Sequence, residues 1–223
     1  MHSNSAPQFT FSATELIQHS QKLLHLLQRD KKHFREYGIK EVTFKRISDL
    51  CNDLNTIPRF ELDENLQKAK EELSSIRNHL YTILKGLENS VRLIFGAKSM
   101  EFRSFKFRCL HNPTECNLAE YAQYVVKIAK PRLPELERRH ITEKKLDKIM
   151  DISVELTDSI NTYSQLISEQ EETKTEYIES ANELISILNQ LCNIGKRIWH
   201  DRDESLYQEY DEYSSIKPTT TYE

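Results

Sequence analysis

Apolar residues recur every seventh position from Leu66 through Leu73, Leu80 and Leu87 to Ile94, with Ala69, Ile76 and Ile83 between them. This a/d seam predicts a long amphipathic helix with one apolar face and a charged back. Tyr177, Leu184, Leu191 and Ile198 repeat the spacing in the second half of the chain. Between them Leu146, Ile149, Ser153, Leu156, Ile160, Tyr163 and Ile167 step by three and four, again a helical period. The ordinary meaning of such seams is the core of a helical bundle, not a free coiled-coil surface.

Local signals bound these helices. Ser12-Ala-Thr-Glu15 is a capping-box pattern, and Asn117-Leu-Ala-Glu120 is its expected counterpart. Gly38 is placed to stop the first helix, and Gly96 fits the C′ position after the seam of Leu66 to Ile94. Pro58 separates the second helix from the third, while Pro131 and Pro134 end, kink or restart their own. No proline or glycine lies between Pro134 and Gly195. A break is expected there near Thr157 to Thr162, where "TDSINT" supplies capping residues; one continuous helix is the alternative.

The two halves can be written over each other. At an offset of 102, Ile39, Glu41, Phe44, Ile47, Asp49 and Leu50 fall on Ile141, Glu143, Leu146, Ile149, Asp151 and Ile152. At an offset of 104, Leu80, Ile83, Leu84, Leu87, Ile94 and Phe95 fall on Leu184, Ile187, Leu188, Leu191, Ile198 and Trp199. The expectation is an all-α antiparallel helical bundle of two tandem copies of a three-helix unit about a pseudo-twofold axis. Residues 9–108 form the first repeat, 109–116 a connecting loop, 117–213 the second repeat and 214–223 a disordered polar tail, with both seams in one shared core.

Composition agrees with that class. Only four of 223 residues are glycine, 30% are charged and the mean hydropathy is -0.66. No apolar run is long enough to span a membrane, and the N-terminus has no secretory pattern. Four scattered cysteines read as reduced thiols, so the expected localisation is cytoplasmic. The net charge of -4 conceals a split: residues 1–112 carry 18 basic and 13 acidic side chains, and 113–223 carry 13 and 22. Such asymmetry bears on partners.

Catalytic motifs that need glycine-rich turns are not written in this chain, and the expectation is a non-catalytic interaction or scaffold protein with no cofactor. Two metal readings can be posed. Glu137-x-x-His140, with Asp30-x-x-His33 as its nearest partner, has the spacing of a di-iron bundle but lacks the further carboxylates. Cys109, His111 and Cys116 supply three potential zinc ligands where four are wanted. The stronger alternative is a single-stranded nucleic-acid or phosphate-ligand site over residues 98–108. There Lys98, Arg103, Lys106 and Arg108 interleave with Phe102, Phe105 and Phe107.

At an offset of 105, Phe102 to Arg108 lies over Tyr207 to Tyr213, an aromatic-x-x-aromatic phrase with its charge inverted. Phe102, Arg103, Phe105, Lys106 and Arg108, with Tyr207, Tyr210 and Asp211, are therefore the candidate interaction surface. The expected partner is protein; self-association of basic exit with acidic exit is a further expectation, and no membrane is implied.

The stretch "VRLIFGAKSMEF" resembles a phrase of uncharacterised bacterial all-helical proteins, in which a long helix ends in F/Y-G-x-x-S-x-E-[FY]. The matching positions are Phe95, Gly96, Ser99, Glu101 and Phe102. The resemblance implies a helical, duplicated-bundle fold and a bacterial origin, and it brings no activity with it.

Overall fold

The computed structural model describes residues 12–111 and 114–214. Among them every regular element is helical: α1 (Ala13–Arg29), α2 (Lys31–Glu36), α3 (Glu41–Thr56), α4 (Arg59–Phe95), α5 (Met100–Ser104), α6 (Glu115–Ala129), α7 (Leu133–Leu136), α8 (Glu143–Trp199) and α9 (Glu204–Ser214). Short 3-10 turns occupy Phe107–Leu110, Lys130–Arg132 and Glu137–Arg139. No described helix is long and apolar enough to cross a membrane. Residues 9–11, most of the expected tail and Asn112–Pro113 of the expected loop lie outside the described residues.

The chain divides into two compact units, named here for their place in the sequence. A terminal unit joins residues 1–59 to 171–223, and a central unit comprises residues 60–170. The buried apolar side chains form two clusters that follow this division. The seam residues Leu80, Leu84 and Leu87 belong to the central cluster, whereas Leu184, Leu188 and Leu191 belong to the terminal one. The expected single shared core is therefore replaced by two.

In the terminal unit, α1 starts on the predicted capping box. The Glu15 N–H donates to the Ser12 hydroxyl at 3.2 Å, and the Ser12 N–H donates to the Glu15 carboxylate at 2.8 Å. Leu16, Ser20, Leu23 and Leu27 bury one face of α1, and the Ser20 hydroxyl donates to the Leu16 carbonyl at 2.7 Å. Helix α2 ends on Gly38 at φ +81, where the Ile39 N–H donates to the Phe34 carbonyl and the Gly38 N–H to that of Arg35. That pair of bonds is a Schellman motif, which needs a left-handed residue. Phe44, Ile47, Leu50, Cys51 and Leu54 of α3 complete the hairpin's buried face. Burial raises both the Cys51 and Cys192 thiols, the latter to about 12, which keeps them protonated and inert.

The central unit packs α6 and the first half of α8 against α4. Leu118, Ala122, Val125 and Ala129 of α6 meet Leu146, Ile149, Ile152 and Leu156 of α8 in one core with Leu80, Leu84 and Val91. Fully burying one such leucine contributes roughly 1.5–3 kcal/mol. The turn before α8 repeats the Schellman pair: the Ile141 N–H donates to the Leu136 carbonyl and the His140 N–H to that of Glu137. Here His140, at φ +58, takes the left-handed position.

Three boundaries differ from expectation. The first helix, expected to run to Gly38, is interrupted at Asp30, so Gly38 stops the short α2 instead. Helix α6 is capped by Thr114, whose hydroxyl accepts from the Asn117 N–H at 3.4 Å, so Asn117 lies inside the helix. Helix α8 runs unbroken through Thr157 to Thr162. The Thr157 and Thr162 hydroxyls donate back to the Ser153 and Asp158 carbonyls at 3.0 Å, satisfying themselves within the helix instead of capping a new one.

Candidate functional site

The phrase after α4 is a helix stop followed by a helix start. Gly96 adopts φ +82, and its N–H donates to the Arg92 carbonyl at 2.9 Å. Three residues later the Ser99 hydroxyl accepts the Phe102 N–H at 3.0 Å and caps α5. Glu101 sits in the first turn, where an acid favours the N-terminal dipole.

Helix α5 lasts five residues, and then Lys106 turns left-handed at φ 53, ψ 40. A non-glycine residue in that region is uncommon and must be held there by its surroundings. Helix α6 provides the hold: the Tyr121 hydroxyl donates to the Phe105 carbonyl at 2.9 Å and the Tyr124 hydroxyl to the Ser104 carbonyl at 2.7 Å. Burial first, then nearby negative groups, pushes the Tyr121 hydroxyl well above the ordinary tyrosine range, so it stays a donor. The Lys106 ammonium lies 5.2 Å from the centre of the Tyr124 ring, an attractive cation–π position.

This turn sorts the interleaved residues. Phe105 and Phe107 point into the core and stack with centroids 5.3 Å apart, and Phe102 packs on Phe107 at 5.3 Å. Arg103, Lys106 and Arg108 face outward and are exposed. With Glu88, Phe102 and His111 they line an open groove of about 780 Å³. Glu88 is only 6% exposed but is satisfied on its own helix, accepting from Lys85 at 3.0 Å and Arg92 at 2.7 Å. Among the described residues Arg103, Lys106 and Arg108 form no ion pair. Among the described residues, the groove therefore presents three cations with no carboxylate partner.

The acidic counterpart is arranged otherwise. Tyr210, expected on the interaction surface, is fully buried in the terminal unit, as Phe105 is in the central one. Its hydroxyl donates to the Asp30 carboxylate at 2.8 Å, and its ring packs on Phe34. Asp30 also accepts from the Trp199 indole at 3.1 Å and from Arg29 through both oxygens at 2.8 and 2.9 Å. Burial alone would raise the Asp30 carboxyl; the Arg29, Tyr210 and Trp199 donors outweigh it and hold the group below the usual carboxylate range. Glu209 bonds Arg29 at 2.6 Å, Asp211 bonds Lys196 at 3.0 Å, and half-buried Tyr207 lies edge-on to His200. The acidic exit is spent inside its own unit. Sequence reading did not find this Asp30 cluster, since its members lie up to 180 residues apart.

The metal readings fare differently again. The oxygens of Asp30 are taken by three neighbours, His33 packs edge-on to Trp199 at 5.0 Å, and Glu137 and His140 are exposed on a surface turn instead of facing inward from one helix. Cys109 and His111 are exposed beside the basic groove, and the Cys116 side chain lies outside the described residues. Comparison with protein-family models, with curated proteins and with solved structures gives no match to this chain.

Proposed function

We propose that this is a non-catalytic interaction protein whose binding face is the basic groove of the central unit. The observation that carries the proposal is three exposed, unpaired cations held by a left-handed turn in a chain of net charge -4. Unpaired charge in one groove attracts an oppositely charged partner and sets its orientation. A single-stranded nucleic acid is the less favoured occupant, because Phe105 and Phe107 stack inward and Arg92 lies over Phe102. Of the rings that line the groove, neither Phe102 nor Phe107 is left as an open platform for bases.

We also propose that the chain arose by duplication of a three-helix segment with the third helices exchanged. The first hairpin packs with the later part of α8, and the second hairpin with α4. Equivalent hydrogen bonds support this: Ile39 to Phe34 matches Ile141 to Leu136, Ser12 and Thr114 cap at the same offset, and the Ser99 cap of α5 is matched by Asp203, which accepts the Leu206 N–H. Gly96 and Asp201 both take positive φ between those helices.

The test is co-purification from native cells of the wild-type chain and of a chain with Arg103, Lys106 and Arg108 each changed to Glu. A protein partner that co-elutes with the first in gel filtration and not with the second is expected. Equal elution of the two chains, both without partner, would overturn the reading.

A further inference from the structure

We infer that the occupant of this groove is an extended acidic segment of a partner protein, with Asp and Glu side chains spaced around one apolar residue. The inference rests on the groove being the binding face and goes further by assigning the ligand's chemistry.

Two features of the groove converge on that class. The cations stand at three positions along a turn, Arg103 at the end of α5, Lys106 at its left-handed exit and Arg108 in the 3-10 turn. Such spacing matches several separate anions better than one compact anion. In addition, exposed Ala97 and half-buried Phe102 give the wall a small apolar strip that an aliphatic side chain can cover.

The chain does not supply this segment from its own acidic exit. Tyr210 is buried there, while Glu209 and Asp211 are bonded to Arg29 and Lys196. The self-association expected from the inverted charges would have to break those bonds first. A separate acidic polypeptide meets no such cost.

The experiment is a fluorescence-anisotropy titration of the full chain with a dye-labelled peptide of alternating Glu and Asp residues around a single Leu. Single-stranded oligothymidylate of equal charge and inorganic pyrophosphate serve as competing probes. Saturable peptide binding is expected, weakened about tenfold or more when Arg103, Lys106 and Arg108 are changed to Glu, and weakened by added salt as rim charges require. Because these side chains are exposed, the variant should melt as the wild type does, and a set of single Ala variants gives graded losses if one reversal perturbs folding. Oligothymidylate or pyrophosphate bound more tightly than the peptide, and lost in the same variant, overturns the acidic-segment inference while leaving the groove as the binding face. Peptide affinity equal in wild type and variant, or no peptide binding at all, overturns the inference outright. The native co-purification then decides separately whether the groove holds any partner.

Discussion

The chain leaving α8 in the terminal unit continues as an eleven-residue helix, α9, whereas the chain leaving α4 in the central unit keeps only five residues of α5 before it turns. Both put one ring fully inside, Tyr210 in the first case and Phe105 in the second. The terminal unit has a slot and an acceptor for its ring. Gly195 has no side chain where the Tyr210 ring passes, and Asp30 receives the hydroxyl. At the positions that the sequence offsets of 104 and 102 set against Gly195 and Asp30, the central unit has Val91, fully buried, and Arg132, whose guanidinium donates to the Ile128 carbonyl. Without slot or acceptor, Phe105 enters the core just ahead of the left-handed Lys106, and Arg103, Lys106 and Arg108 stand in solvent around it. The same kind of exit becomes an internal anchor in one unit and an exposed basic groove in the other.

The largest effect should come from the cores, which the comparison treats as equivalent. Leu80→Asp and Leu184→Asp each put an unpaired carboxylate at a fully buried site, costing several kcal/mol, so both should abolish cooperative unfolding seen by circular dichroism. A variant that melts like the wild type would remove its helix from the core assigned to it.

Next is the slot. A Cβ at residue 195 would stand 2.5 Å from Cδ1 of Tyr210, so Gly195→Ala must push the ring away from Asp30. The expected loss is about 2–3 kcal/mol, read in urea unfolding, despite the better helix propensity of alanine. An unchanged midpoint would show that Tyr210 does not need the slot.

The anchor is smaller. Tyr210→Phe gives the terminal unit the side chain that the central unit already has, and it should cost about 1.5 kcal/mol, since Arg29 and Trp199 still bond Asp30. Asp30→Asn adds a pH signature. The folded carboxyl titrates below its unfolded value, so its contribution is complete above about pH 4. It is lost as pH falls from there through the depressed folded value. The stability gap between wild type and Asp30→Asn should therefore shrink on acidification below about pH 4, and a constant gap would deny the carboxylate this role.

The smallest effect carries the opposite sign. A Cβ at Gly86 meets no atom within 4 Å, so Gly86→Ala should stabilise α4 by about 0.5–1 kcal/mol through helix propensity alone, a rise in melting temperature of a few degrees. A loss of stability there would mean that Gly195 is not special for lacking space.

The basic groove was half legible. Arg103, Lys106 and Arg108 stood out by spacing, and Ser99 and Gly96 were readable as a cap and a stop, because caps and left-handed stops are decided within a few residues. The outward sorting of cations and inward sorting of rings was not readable, since it depends on Tyr121 and Tyr124 reaching back from α6. Glu88 and His111 joined the groove without any local signal.

By itself the sequence determined the helical class, the seams of α4 and α8, the capping box at Ser12, the Schellman stop at Gly38 and the break at Pro58. Each follows from hydrogen-bond satisfaction and side-chain periodicity within one or two helical turns. Tertiary structure decided which hairpin each seam covers and whether an exit phrase becomes anchor or groove. Those outcomes depend on groups distant in sequence, such as Asp30 and Tyr210, whose pairing is favourable only once folding has brought them into a dry interior.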